Sequence, residues 1–196
     1  MRPTLYLIPV LLFFQSPSSA QSQSQSQSQS AASAHFRIQT TSSADLKFLP
    51  RAFKALENAR KDLIALKLNP PRYVTVIVHP TLEHFQKTLD APLYEAARAN
   101  RKLAQIDTQR FVALEEHGGL EATLRHELYH LAQPEGWPRW KAEGGAVRFS
   151  GERLTASPIL SISEEKLEKL LANPPSREML ARAVATAAKW VSQNHP

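Results

Sequence analysis

The chain contains no cysteine among its 196 residues. Disulfide bonds, thiolate metal ligands and cysteine nucleophiles are therefore excluded, and so is a lipid attached to an N-terminal cysteine. A transition-metal site in this protein must consist of His, Asp or Glu side chains. The 7 histidines and 18 acidic residues of the chain are thus the pool from which any metal ligands come.

The sequence also lacks a block of like charges. Its net charge is +6 and its pI is near 9.7, but the Lys and Arg residues are spread along the chain. A basic balance can favour anionic partners such as nucleic acid, membrane surfaces or cell-wall polymers. No nucleic-acid-binding motif accompanies the charge, so we interpret it as a solvated surface and expect no nucleic-acid partner.

No apolar run is long enough to cross a bilayer, which takes about 20 residues. The apolar segment 5–14 follows a positively charged start at residues 1–2 and precedes Pro-Ser-Ser-Ala at 17–20. This order predicts a secretory signal peptide, residues 1–20, that is cleaved after Ala20. We therefore expect a periplasmic or secreted protein that is not stably inserted in a membrane once the signal is cleaved.

A low-complexity segment follows the predicted signal. Residues 21–30 alternate strictly between Gln and Ser and contain no apolar side chain. Such a segment cannot form a core, so we predict a disordered spacer over 21–34. The remaining residues 35–196 have the length of one domain, and the chain is 42% hydrophobic, which is enough for a single core.

Hydrophobic periodicity predicts strands and helices in the first part of this domain and helices alone in the last part. Strands are predicted at 35–40, 73–78, around 103–106 and 110–114. Helices are predicted at 45–68, 82–89, 120–132, 138–149, 164–171 and 176–192. This order indicates an α+β domain with a small mixed sheet and a helical C-terminal part.

The segment 126–130 reads His-Glu-Leu-Tyr-His within the predicted helix 120–132. Two histidines four residues apart project from one helix face, so their imidazole nitrogens can reach one metal ion at about 2.0–2.1 Å. Glu127 is rotated by one residue, and its carboxylate can take a proton from a water at that ion without being a ligand. His126 and His130 are thus candidate metal ligands, although a helix that merely exposes these side chains also fits the motif.

A third protein ligand is predicted at Glu143, in the helix that follows. Zinc hydrolases of this type use three protein ligands and leave the fourth position for water. Residues 134–138 can turn the chain back so that the second helix presents Glu143 beside the histidines, and Gly144 and Gly145 allow the helices to approach closely. The alternative is that Glu143 is an ordinary surface carboxylate.

These motifs resemble those of the gluzincin metallopeptidases and, more closely, of the bacterial peptidase MA-like domains. The resemblance rests on Arg-His-Glu-Leu-Tyr-His at 125–130, Pro-Arg-Trp at 138–140 and Glu-Gly-Gly-Ala at 143–146, and with the upstream elements it covers about 35–150. It implies a zincin-like active-site helix, Zn2+ held by the ligand set His126, His130 and Glu143, and Glu127 as the catalytic base.

The chain departs from the family pattern just after the third motif. Many relatives carry an acidic residue and a tyrosine there, where this chain has Val147 and Arg148. The groups that orient the ligands and stabilise the oxyanion therefore stay unassigned. Arg148 or His117 could stabilise the oxyanion, although a structural role is favoured for both.

The resemblance implies an exported zinc metallopeptidase that hydrolyses peptide bonds in a protein or in cell-wall material. Zinc would activate a water molecule, and Glu127 would accept its proton and pass it to the leaving amine. The segment 110–114, as an edge strand, could hold an extended peptide by backbone hydrogen bonds. The alternative is an exported binding or assembly module that keeps the fold and the metal site but is catalytically weak or inactive.

Tyr129 is predicted to face away from the metal and to serve packing. Trp137 and Trp140 could line a cleft, although packing between the two motif-bearing helices is favoured. The other histidines with no ligand spacing are interpreted as incidental: His35, His79, His84 and His195.

Overall fold

The computed structural model describes residues 28–92 and 95–194. Its strands are β1 Gln29–Ala32, β2 Phe36–Thr40, β3 Val74–Val78, β4 Ala97–Asn100 and β5 Gln105–Thr108. Its helices are α1 Ser43–Leu46, α2 Leu49–Ala65, α3 Leu82–Leu89, α4 Phe111–Glu116, α5 Leu120–Ala132, α6 Arg139–Ser150, α7 Glu164–Ala172 and α8 Arg177–Asn194. The predicted α+β class is confirmed.

The strands form one mixed sheet in the order β1-β2-β3-β5-β4. The central pairs β2–β3 and β3–β5 are parallel, and the outer pairs β1–β2 and β4–β5 are antiparallel. Strand β4 is therefore an edge strand, and its pairing partner β5 lies next to the central strand β3.

One face of the sheet forms the main core with α2 and α5. The strands alternate, so that Ile38 and Val76 point to this face and are completely buried. They pack in one cluster with Leu56 of α2 and with Leu124 and Leu128 of α5. Burying a leucine side chain stabilises the fold by about 1.5–3 kcal/mol, so this packing holds α5 firmly against the sheet.

The opposite face of the sheet carries a buried polar network beneath α3. Asp107 of β5 points away from the main core, and its Oδ1 lies 2.9 Å from Nε2 of His79. Nδ1 of His79 lies 2.9 Å from Nδ1 of His84 in α3, whose first turn is capped by the side chain of Thr81. His79 and His84, interpreted as incidental, thus join α3 to the sheet.

The C-terminal helices extend the domain beside α5. Helix α6 lies between α5 and α8, and α7 packs with α8 through Leu167, Leu171, Ala183 and Ala187. Gly144 permits the contact between α6 and α8, because a Cβ at this position would overlap the carbonyl group of Ala187. Among the described residues, no helix combines the length and the apolar character that a membrane span requires.

The prediction of a strand at 110–114 is wrong, because Arg110 precedes a helix and the rest of the segment begins α4. Five residues are too few to separate the two periodicities: Phe111 and Leu114 also have the spacing of one helix face, and both are buried. Tertiary contacts select the helix. The buried Asp45 accepts a hydrogen bond from the Val112 N–H at 3.1 Å and another from the Arg110 guanidinium at 3.2 Å.

Two other segments differ from the prediction. The predicted helix 45–68 is divided into α1 and α2, because Pro50 fits the first turn of α2 but could not donate the hydrogen bond that a continuous helix requires there. Strand β4 was not predicted, since Ala-Arg-Ala-Asn contains none of the β-branched or aromatic residues that favour strands.

The folded part also begins earlier than predicted. Strand β1, Gln29–Ala32, lies within the predicted spacer 21–34 and pairs with β2. The spacer prediction considered the burial of side chains, whereas an edge strand can be held by backbone hydrogen bonds while its side chains stay largely exposed. The rest of the spacer before residue 28 and the predicted signal peptide 1–20 lie outside the described residues.

Candidate metal centre

Helix α5 presents the two motif histidines on one face, at the floor of a cleft. Nε2 of His126 lies 3.0 Å from Nε2 of His130, one helical turn away. Each histidine side chain is less than one-fifth exposed, with relative exposures of 15% and 17%. Leu124 and Leu128, completely buried on the other side of α5, fix the direction in which this face points.

Helix α6 brings the predicted third residue to the same point. Oε2 of Glu143 lies 3.6 Å from Nε2 of His126 and 3.7 Å from Nε2 of His130. The close approach of α6 to α5 depends on Gly145, because a Cβ at this position would overlap the hydroxyl group of Tyr129. The structure therefore brings together the three side chains that the spacing and the resemblance selected.

The three inward-facing atoms suit a small divalent cation. A tetrahedral zinc site with bonds of about 2.0–2.1 Å places its ligand atoms about 3.3 Å apart. The distances of 3.0, 3.6 and 3.7 Å between the two Nε2 atoms and Oε2 bracket this value. Two imidazoles and one carboxylate are also a donor set that zinc hydrolases use. His126, His130 and Glu143 could therefore hold a metal ion.

Electrostatics of the cluster couple the histidines to Glu143. Burial lowers the pKa of His126, but the carboxylates of Glu143 and Glu152 outweigh it and raise this pKa to about 10. Burial likewise lowers the pKa of His130, and Glu143 raises it above its ordinary value. Burial raises the pKa of Glu143, whereas the two neighbouring imidazoles hold it well below its usual range. Without a metal ion the cluster thus retains protons, which a metal would have to displace.

Glu127 lies in the same cleft and is almost completely buried, with 9% of its surface exposed. Burial raises the pKa of its carboxyl group above the ordinary value, although His126 and His130 oppose this effect. A carboxylate whose pKa is raised towards neutrality is a better proton acceptor near pH 7 than an exposed one. The position and the basicity of Glu127 both suit a general base.

The cleft has a volume of about 820 Å³ and contrasting walls. Edge strand β4 forms one wall, and the apolar side chains of Leu171, Leu180 and Val184 from α7 and α8 contribute to another. The peptide-binding edge strand that was expected at 110–114 is helical, and β4 is the edge strand that borders the cleft.

The backbone of β4 offers hydrogen-bonding groups along this wall. In an antiparallel pair, residues alternate between bonding to the partner strand and pointing away from it. The Gln109 N–H donates to the Ala96 carbonyl, so residues 96, 98 and 100 bond to the β5 side. The N–H and C=O groups of Ala97 and Ala99 consequently point away from β5, towards the open edge of the sheet.

Three aromatic residues near the motifs have different surroundings. Tyr129 is buried in the core and packs against Phe149, with ring centroids 5.6 Å apart. Trp137 lines the cleft. Trp140 packs against Trp190 of α8, rather than between α5 and α6, and donates to Glu164 at 2.9 Å.

The two candidate oxyanion-stabilising residues do not meet the metal centre. Arg148 donates to the carbonyl of Val191 at 3.2 Å, on the side of α6 that faces α8. His117 is exposed at the end of α4. Within the described residues, neither side chain lines the cleft.

Two residues that the motifs did not indicate contact the outer sides of the histidines. Oε1 of Gln133 lies 3.2 Å from Nδ1 of His130, and Oε2 of Glu152 lies 3.3 Å from Nδ1 of His126. The contact of Gln133 with His130 could have been predicted from the sequence, because Gln133 follows His130 by three residues, which is a helical spacing. The contact of Glu152 with His126 could not have been predicted in this way, since the position of Glu152 depends on the turn that ends α6.

The resemblance to the gluzincin peptidases rests on residues that meet in this cleft. His126, Glu127, His130 and Glu143 all line it, and the helices that carry them pack directly against each other. Comparisons of the chain with protein-family models, with curated proteins and with solved structures find no match.

Proposed function

We propose that this protein is an exported, zinc-dependent metallopeptidase of gluzincin type. The observation that carries the proposal is the convergence of Nε2 of His126, Nε2 of His130 and Oε2 of Glu143 within 3.0–3.7 Å of one another, beside the buried carboxylate of Glu127. The three converging side chains are the proposed metal ligands, and Glu127 is the proposed general base.

A zinc ion, when bound by these ligands, supplies a Lewis acid that lowers the pKa of a water molecule and polarises a carbonyl group. The donor set of two imidazole nitrogens and one carboxylate oxygen supports zinc. Imidazole also suits copper, iron and nickel, so identification of the ion is part of the test.

Glu127 performs the proton transfers. Its carboxylate accepts a proton from the attacking water and gives it to the nitrogen of the leaving amine. The burial that raises its pKa favours both steps, because the carboxyl group then binds the proton well enough to take it and releases it to a more basic amine.

An extended peptide is the substrate that this cleft suits best. The outward N–H and C=O groups of Ala97 and Ala99 can pair with a peptide backbone as an additional strand. The apolar wall of Leu171, Leu180 and Val184 can receive one of the peptide's side chains. A protein segment or a cell-wall peptide meets these requirements, and either agrees with the expected periplasmic or secreted location.

One observation favours a second candidate function. Neither Arg148 nor His117 lines the cleft within the described residues, so the proposed chemistry has no assigned side chain to stabilise the oxyanion. This favours an exported binding or assembly module that retains the zincin fold and the metal site but is catalytically weak or inactive. Such a module would hold a peptide against β4 without cleaving it.

The variant Glu127→Gln separates the two functions. For a peptidase, we expect one metal ion per chain in both proteins, inhibition of the wild type by a chelator, and a fall in turnover of about 10²–10⁴-fold in the variant. Unfolded protein and cell-wall peptides are suitable substrates, and Glu116→Gln, an exposed position on α4, is the matched control.

Each other outcome has a distinct meaning. A wild type that binds metal and peptide but cleaves neither class of substrate would identify the binding module. A wild type that binds no divalent ion would refute the ligand assignment itself.

A further inference from the structure

The nitrogens of the two histidines that face away from the candidate ion position have different surroundings. Nδ1 of His130 lies 3.2 Å from the side-chain amide oxygen of Gln133. Nδ1 of His126 lies 3.3 Å from a carboxylate oxygen of Glu152, but the two groups are not aligned as a hydrogen bond. Among the described residues, this buried nitrogen has no hydrogen-bond partner.

If His126 binds a metal ion as a neutral imidazole, its Nδ1 requires a hydrogen-bond acceptor. When Nε2 offers its lone pair to a cation, the ring proton is on Nδ1, which then acts as a donor. A buried donor left without an acceptor destabilises the folded protein. A carboxylate acceptor fixes the ring orientation and makes the opposite nitrogen a stronger ligand. His126 therefore needs the group that Glu152 provides.

The end of α6 delivers Glu152 to this place. Gly151 adopts a left-handed conformation with φ 72°, which ends the helix and reverses the chain. Oγ of Ser150 accepts the Glu152 N–H at 3.2 Å and donates to the Val147 carbonyl at 3.0 Å. The backbone of Glu152 is thus held, and its side chain, 48% exposed, lies beside Nδ1 of His126.

We propose that Glu152 is a positioning residue of the metal centre: its carboxylate accepts a hydrogen bond from Nδ1–H of His126 and keeps Nε2 of that ring available to the ion. Gln133 supplies the corresponding acceptor for His130, without a charge. This inference rests on the proposed function, because it assigns the orientation of one of its metal ligands. It also gives the turn after α6 a direct part in the strength of metal binding.

The test measures zinc affinity of the purified chain by competition with a chromophoric chelator, and it needs no substrate. We expect Glu152→Ala to weaken zinc binding about 10–100-fold, the usual effect of removing such a group. Glu152→Gln should lose less zinc affinity, because its amide oxygen can still accept the hydrogen bond. Glu135→Gln, an exposed position in the turn between α5 and α6, is the control and should bind zinc as the wild type does.

A second readout separates positioning from a general loss of structure. Cobalt substituted for zinc reports the ligand geometry by its visible spectrum, and this spectrum should change in Glu152→Ala while the circular dichroism of the metal-free variant stays that of the wild type. If Glu152→Ala shows unchanged zinc affinity and an unchanged cobalt spectrum, the role of Glu152 is refuted.

His126→Ala distinguishes this failure from failure of the proposed function. If the wild type binds zinc and His126→Ala does not, the ligand assignment holds and the Glu152 variants decide the inference alone. If the wild type binds no zinc, or binds it equally well after His126→Ala, both the proposed function and the inference built on it are refuted.

Discussion

The hydroxyl group of Tyr129 lies where a side chain at Gly145 would have to be. Tyr129 belongs to α5 and Gly145 to α6, so this pair sets how closely the two ligand-bearing helices approach. Tyr129 is neighbour to the candidate ligand His130, and Gly145 lies two residues after the candidate ligand Glu143. The packing of the Tyr129 ring against the backbone of Gly145 therefore determines the distance between candidate ligands on different helices.

Gly145→Ala should force α6 away from α5 and weaken the metal site. Overpacking of this kind costs about 1–3 kcal/mol of stability, which thermal unfolding of the metal-free protein would measure. We also expect weaker zinc binding, because Glu143 moves with α6 while the histidines stay on α5. Tyr129→Phe removes the hydroxyl group and should restore part of both losses in the double variant. Independent, additive effects of the two substitutions would contradict this explanation.

The stability of the metal-free protein should fall as the pH rises from 6.5 to about 10, the ordinary and the raised pKa of His126. Over this interval the folded state keeps a proton that the unfolded chain has released. The stabilisation is therefore complete below pH 6.5 and is lost as the pH rises through about 10. Urea unfolding should detect a slope of at most about 1.4 kcal/mol per pH unit for this one proton.

Two controls belong to the pH experiment. Glu143→Gln removes a carboxylate that raises the pKa of His126, so the loss of stability with pH should become smaller. Added zinc should reverse the trend over the same interval, because the metal competes with the proton and gains as the pH rises. A metal-free wild type with constant stability across this interval would show that the cluster does not hold the proton.

Ala99→Pro tests the role of edge strand β4 in substrate binding. The Ala99 N–H points away from β5, so proline removes it without breaking a hydrogen bond of the sheet. Loss of one peptide hydrogen bond, about 1 kcal/mol, should lower kcat/KM about fivefold while zinc binding is unchanged. Ala99→Ser keeps the N–H and should cleave peptides as the wild type does. Equal kcat/KM for the two variants would exclude backbone pairing at this residue.

The sequence predicted the two helices that carry the candidate ligands well, because the signals for these helices are local. Hydrophobic periodicity predicted a helix at 120–132, and α5 is observed at Leu120–Ala132. Pro138 likewise marked the start of α6. The placement of Glu143 beside the histidines was predicted from the motif spacing and the resemblance, and the structure brings these side chains together.

The walls of the cleft could not be predicted in the same way. Strand β4 has no strand-favouring side chain and is held by its pairing with β5, while Asp45, distant in sequence, determines that the segment after Arg110 is helical. Glu152 reaches His126 because of the left-handed turn at Gly151. Each of these features depends on contacts between distant residues, which one-dimensional periodicity does not report.

The contact of Gly144 with the Ala187 carbonyl has a consequence for how the candidate metal site forms. Gly144 is the residue next to Glu143, so α8 packs against the backbone beside this candidate ligand. Helix α8 also follows both ligand-bearing helices, α5 and α6, along the chain. We therefore expect the complete set of candidate ligands to form only after α8 has docked, so that a chain truncated before α8 would offer a metal ion its two histidines alone.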